Sequence, residues 1–157
     1  MTPAIDALDK AGIAYQLHPY QADAKDDGYG LAAAYALGVD PDNLYKTLLV
    51  ADEQKPNRLA VAVIPVSHQL NLKQTAKALG WKKVTMADKQ KAQVATGYVL
   101  GGISPLGQKQ SLPTVFDQSI SDKSTIYFSG GKRGLQVQVS PAPVLALLSA
   151  RLAPLIA

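Results

Sequence analysis

One lysine and two glycine-rich segments carry the chemistry this sequence can offer. Lys46 opens an otherwise apolar run, Tyr45-Lys46-Thr47-Leu48-Leu49-Val50. Strand alternation puts Lys46 on the face of Leu48 and Val50, so one end of an apolar face carries a cation. The plain alternative is a strand-end lysine that reaches out to water. The second segment runs from Gly97 through Gly101-Gly102-Ile103-Ser104-Pro105-Leu106-Gly107. Its glycines let backbone N–H groups turn toward a small anion or a developing oxyanion, and Pro105 stiffens the loop. Its alternative is a connecting loop. The third is Ser129-Gly130-Gly131-Lys132-Arg133-Gly134, which also reads as a hairpin turn with two exposed cations.

The usual catalytic signatures are missing. There is no cysteine, hence no thiolate nucleophile, disulfide framework or Cys-ligated metal. The two histidines, His18 and His68, lack metal-ligand spacing and read as surface or satisfied structural residues. Glu53 is the one glutamate, and nothing singles out a carboxylate pair. Ser104 is no nucleophile elbow, because position 106 is leucine and Pro105 would disturb the helix an elbow feeds. Gly130-Gly131-Lys132-Arg133 is no P-loop: position 126 is isoleucine, and arginine follows the lysine. A shaped site built this way acts by positioning and backbone donors, or it only binds. No metal and no cofactor is expected.

The elements that must position these segments alternate along the chain. Thr2-Pro3 opens a helix that Gly12 ends, and a short strand follows over residues 14–18. Residues 20–30 read as a polar loop, 31–37 as a helix closed by Gly38, and Asp40-Pro41 as a single turn. Strands over 45–50 and 59–66 are joined by a turn at 52–58. Asn71 caps a helix through Leu79, 83–86 is a short strand, and Asp88 caps a helix to about Ala95. Strands are expected at 98–100, 114–116, 125–129 and 135–139. Ser140-Pro141 starts a last helix with Val144, Leu145, Leu148 and Leu152 as its apolar stripe. Consecutive strands with short turns make this α+β, a mixed or antiparallel sheet with peripheral helices.

At 157 residues, 47% hydrophobic and 18% charged, the chain reads as one globular domain spanning 1–157. No apolar run is long enough for a membrane span, and the N-terminus lacks a signal-peptide pattern. The expectation is a soluble, cytoplasmic protein with no membrane partner. Net charge is +4, unevenly spread. Residues 1–45 hold seven acids against two lysines, and the remainder carries a net +9. Within 73–91 lie six lysines and one acid, Asp88. Such a field permits a nucleic-acid partner without requiring one.

The stretches Met1-Thr2-Pro3-Ala4, Tyr45 to Val50, Gly101 to Lys109 and Ser129 to Leu135 closely resemble the YbaK/EbsC family, in the same order nearly end to end. Its members are free-standing bacterial aminoacyl-tRNA editing proteins, related to the editing insertion of prolyl-tRNA synthetase. The YbaK branch, which removes cysteine mischarged onto proline tRNA, is the most similar. The resemblance implies a largely antiparallel, barrel-like sheet with helices around it and a cleft for the aminoacylated 3′ end. It implies that Lys46 is the signature active-site residue, holding the terminal ribose–phosphate or orienting the ester. Backbone amides at Gly101 and Gly102 would meet the oxyanion, and Ile103, Ser104 and Pro105 would shape the amino-acid pocket. Tyr20, Tyr29, Ser129 and Gly131 fall where family members line the cleft. Gln136 stands where the family often has an acid, and a glutamine carries no charge and is no base.

The family mechanism fits a chain without its own nucleophile. The substrate's cysteine thiolate attacks its own ester carbonyl and leaves as a thiolactone. The protein supplies confinement, for which intramolecular geometry is worth up to about 7–11 kcal/mol. The resemblance also implies prolyl-tRNA synthetase in a transient complex, since no RNA-reading module is evident, and no DNA. The 73–91 lysines would meet acceptor-stem phosphates. Two other readings stand beside this one: cleavage of alanine or serine esters by water, and a non-catalytic tRNA- or synthetase-binding module.

Overall fold

The computed structural model describes residues 1–21 and 28–157. Helix α1 (Pro3–Ala11) begins on a Thr2 cap, whose Oγ1 accepts from the Ile5 N–H at 3.2 Å. The same hydroxyl donates to the Gly130 carbonyl at 2.5 Å, tying this helix start to the distant glycine turn. Strand β1 (Tyr15–Pro19) and α2 (Tyr29–Leu37) follow. α2 begins two residues earlier than the sequence pattern implies, so Tyr29 and Gly30 are helical rather than loop. The rest of that expected loop, 22–27, lies outside the described residues.

After a 3₁₀ turn (Pro41–Asn43) come β2 (Tyr45–Asp52) and β3 (Lys55–Pro65). The turn between them is far tighter than 52–58, because a bulge at Ala51/Asp52 re-registers the ladder. α3 (Leu72–Leu79), β4 (Val84–Met86) and α4 (Lys89–Thr96) then run as read, with Asn71 and Asp88 capping the two helices through their side chains. The strand expected at 98–100 does not form. Gly97, in the left-handed region, ends α4, and the Gly102 amide closes a turn onto the Val99 carbonyl at 3.0 Å. Next are β5 (Thr114–Asp117), a 3₁₀ turn (Gln118–Asp122), β6 (Ile126–Ser129), β7 (Leu135–Val139), α5 (Pro141–Leu148) and β8 (Arg151–Ala153). Leu152 therefore lies on a strand, not on the last helix. Ser149 at φ 49° ends α5 one turn earlier.

The α+β class is as expected, with two ladders. β1-β7-β6 is antiparallel, while β4-β2-β3-β5-β8 is mixed, with β5 parallel to both neighbours. The main core lies between the ladders: Tyr45, Leu49, Val63 and Phe116 meet Ile126, Phe128, Val137 and Val139, with α1 closing over Ala4 and Leu8. On the other face of the five-stranded sheet, Val50, Ala62 and Ile64 pack against Ala76, Leu79, Trp81 and Leu155. Burial on both faces explains why β3 reads as the continuous apolar run Leu59 to Pro65.

The barrel-like closure implied by the resemblance is not seen; the sheet stays open. β6 meets the residue before β2 at a single parallel bridge, Leu44–Tyr127, and no ladder continues from it. β4 pairs with β2 only at Val50, Ala51 and Asp52. Among the described residues, the β2 edge between those two contacts has no partner strand, and several residues singled out from the sequence gather beside that gap. Among the described residues, no helix is long and apolar enough to cross a membrane. No cluster of metal-ligating side chains is found there either.

Candidate functional site

A cleft of about 620 Å³ opens along this edge of β2. Seven of the residues singled out from the sequence line it: Lys46, Tyr20, Tyr29, Gly101, Ile103, Ser129 and Gln136. They come from six separate parts of the chain, so only the fold brings them together.

Lys46 sits opposite Ile64, on the same face as Leu48 and Val50, as alternation requires. The Gly101 wall is built by a clasp. Gly101, at φ +82°, carries the Tyr29 ring so closely that a Cβ there would lie 2.5 Å from Tyr29 Cδ2. Arg133 lies over the Tyr29 ring, 4.7 Å from its centroid, and its Nε donates to the Leu100 carbonyl at 2.7 Å. Tyr20 does two things at once, lining the cleft while packing on Ala33, Ala34, Leu44 and Val66. Ser129 Oγ accepts from the Gly131 amide at 3.1 Å, which shapes the turn beside the cleft.

The four other expected residues lie behind this wall. Gly102 is buried against the backbone of Lys132 and Arg133, and its amide is committed to Val99. Ser104 is fully buried, its Oγ accepting from the Leu106 amide at 3.2 Å while its carbonyl accepts from Gln108. Pro105 is buried next to it. Gly131 packs on Thr2 and Tyr98. These residues set the loop's shape from inside. Both histidines are structural in position: His18 bonds Gln138 at 2.9 Å and stacks near Tyr127, and His68 lies 3.9 Å from Asp42.

The lining also includes Leu70, Leu72 and Met86, which the sequence did not single out, with Thr47 from the Lys46 segment and Lys89 from the 73–91 lysines. Leu72 and Met86 are 37% and 49% exposed, so they are apolar surface at the cleft rather than core. The available signal was their place at element ends, Leu72 directly after the Asn71 cap and Met86 at the end of β4. The segment at Leu70 is held by the C-terminal residues, with Asn71 N–H on the Leu155 carbonyl and Ala157 N–H on the Gln69 carbonyl.

Two polar atoms of the lining have no hydrogen-bond partner among the described residues: Gln136 Oε1 and Thr47 Oγ1, both buried. Buried polar atoms of that kind cost stability unless something else satisfies them. Lys46 and Lys89 make the lining cationic, and among the described residues its hydroxyls come from Thr47, Ser129 and the tyrosines.

Residues 30–147 match the family model for the aminoacyl-tRNA editing domain, and the chain belongs to that family. Over 153 residues it is 34% identical to a protein of Enterococcus faecalis named "Putative Cys-tRNA(Pro)/Cys-tRNA(Cys) deacylase EbsC", covering 97% of this chain and 91% of that one. Its fold is similar to the crystal structure of "a putative trans-editing enzyme for prolyl tRNA synthetase", with a TM-score of 0.83 at 21% identity, over 99% of this chain and 95% of that chain. A crystal structure of a hypothetical protein gives 0.84 at 24% identity over 98% of both chains. At those identities the structural likeness is one of fold.

Proposed function

We propose that the protein is a trans-editing deacylase that removes cysteine from mischarged proline tRNA. The observation that carries this reading is a cleft lined by two lysines and backbone-rich loops, on a chain 34% identical over 153 residues to a relative named for that activity. An aminoacyl ester is already activated, so confinement and charge placement suffice for hydrolysis. A cationic lining favours the thiolate form of a cysteinyl ester, because a nearby ammonium lowers a thiol pKa. The thiolate attacks the ester carbonyl carbon, the carbon–oxygen bond to the ribose breaks, and a β-thiolactone departs. The proton lost by the thiol ends on the ribose hydroxyl, so atoms balance without a cofactor.

In this reading Lys46 orients the terminal ribose–phosphate or the ester, and Tyr20, Tyr29, Gly101 and Ile103 enclose the terminal nucleoside and amino acid. Ser104, Pro105 and Gly131 act from behind by fixing the loop. Gln136 offers hydrogen bonds but no charge. Selection of the tRNA falls to prolyl-tRNA synthetase in a transient complex, in the cytoplasm.

The test is release of labelled amino acid from proline tRNA charged with cysteine, alanine or proline, by the wild type and Lys46→Ala. Fast loss of cysteine alone, absent in the variant, supports the reading. Preferential loss of alanine keeps the editing activity but overturns the thiol mechanism. No acceleration of any ester, with or without the synthetase, makes the protein a binding module.

A further inference from the structure

The register of β2 and β3 fixes where the main-chain groups of β2 point. Leu49 stands opposite Val61, yet the Leu49 carbonyl accepts from Ala87 and the Val61 amide donates to Pro113. Leu49 and Val61 are therefore a non-hydrogen-bonded pair, each directing its backbone away from the other. No register shift separates Leu49 from Thr47, so the Thr47–Val63 pair is of the same kind. Two more contacts agree. Pro65, which has no N–H to give, stands opposite Tyr45, and the Val66 amide donates to the Leu44 carbonyl at 2.8 Å, which marks the hydrogen-bonded pair just beyond.

The main-chain N–H and C=O of Thr47 thus point away from β3, onto the stretch of β2 edge between the Leu44–Tyr127 bridge and the β4 pairing, where neither strand forms a ladder. Thr47 lines the cleft at that place. An unpaired strand edge inside a cleft presents a donor and an acceptor on rigid backbone. Of the two glycine amides offered for an oxyanion, Gly101 and Gly102, that of Gly102 is already bonded to Val99.

We infer that the Thr47 main-chain N–H is the donor that meets the ester carbonyl oxygen as negative charge develops on it, with the Thr47 carbonyl accepting from the substrate's α-ammonium. This rests on the reading that the cleft takes an aminoacyl ester. Residue 47 is then required through its backbone, separately from anything its hydroxyl contributes.

The experiment replaces the residue 47 amide by an ester, using the α-hydroxy acid of valine introduced by nonsense suppression, beside Thr47→Val as the matched amide. The N–H of Thr47 is not part of the β2–β3 ladder, so the ladder survives the change. The expected result is a kcat about 10²–10³-fold lower for the backbone ester than for Thr47→Val, the size seen when one oxyanion donor is removed. Affinity for uncharged proline tRNA should stay unchanged. Equal kcat for the two variants overturns the proposal while leaving the editing reading intact. Failure of the wild type to cleave any aminoacyl ester overturns the editing reading itself. A second measurement does not depend on the ester protein folding. The amide proton of Thr47 is followed by nuclear magnetic resonance in the wild type as a non-hydrolysable cysteinyl-amide of 3′-amino-3′-deoxyadenosine is added. A downfield shift at saturation is expected, and an unmoved Thr47 amide with neighbours shifting overturns the assignment.

Discussion

The Arg133 guanidinium lies 4.7 Å from the Tyr29 ring centroid while its Nε holds the Leu100 carbonyl, so one exposed side chain clamps two pieces of the cleft wall. Tyr29 in turn lies on Gly101. Because Arg133 is exposed, its truncation should cost the fold little, within about 1 kcal/mol. The consequence belongs to the wall. Arg133→Ala is expected to leave the melting temperature nearly unchanged and reduce kcat/KM for a cysteinyl ester by about tenfold. Arg133→Lys should not restore it, since a lysine cannot stack a planar fork on the ring while bonding the carbonyl. Full activity in Arg133→Ala would show that the clamp positions nothing.

Gly101 gives the complementary case. It needs a left-handed backbone and also has the Tyr29 ring where a Cβ would go. Gly12 has a similar positive φ with nothing within 4 Å. Gly12→Ala should therefore cost only the conformational penalty of about 1–2 kcal/mol. Gly101→Ala should cost more in denaturant unfolding and also abolish most turnover, because Tyr29 must move. Equal costs at the two sites would mean that the ring gives way freely.

Gln136 Oε1 is buried without a partner among the described residues, on a residue 4% exposed that lines the cleft. A buried polar atom left without a partner costs stability. Gln136→Leu is expected to raise stability by about 1 kcal/mol in urea unfolding and to weaken binding of the aminoacyl substrate. If the variant is both less stable and equally active, the glutamine is a structural residue.

Short-range physics explains what the sequence revealed. Side-chain caps at Thr2, Asn71 and Asp88 act within one helical turn, and those helix starts were placed correctly. The face of Lys46 followed from strand alternation alone. What failed depended on contacts distant in sequence. The apolar run at 98–100 looks like a strand, but Tyr98 is drawn into the core beside Leu106 and α1 instead of pairing. Leu152 continues the apolar spacing of α5 but is taken by the parallel ladder with Phe116. The cleft lining at Leu72 and Met86 depends on β6 forming no ladder with β2 beyond the Leu44–Tyr127 bridge, which no local pattern encodes.

Tyr98 ties that glycine-rich loop to the core, and its ionisation gives the fold a pH limit. Its hydroxyl donates to the Leu106 carbonyl at 2.6 Å in a buried site. Burial pushes its phenol up to about 12, with the Ala4 backbone amide opposing the shift. In the unfolded chain a tyrosine ionises near 10. Between pH 10 and 12 the unfolded state therefore binds fewer protons than the native state, and stability falls as pH rises through that window. Tyr98→Phe leaves the Leu106 carbonyl unpaired and should cost about 1–3 kcal/mol at neutral pH. It also removes the ionisation, so the gap between wild type and variant should narrow steadily from pH 10 toward 12. A gap that stays constant across the window would mean that Tyr98 does not govern alkaline stability.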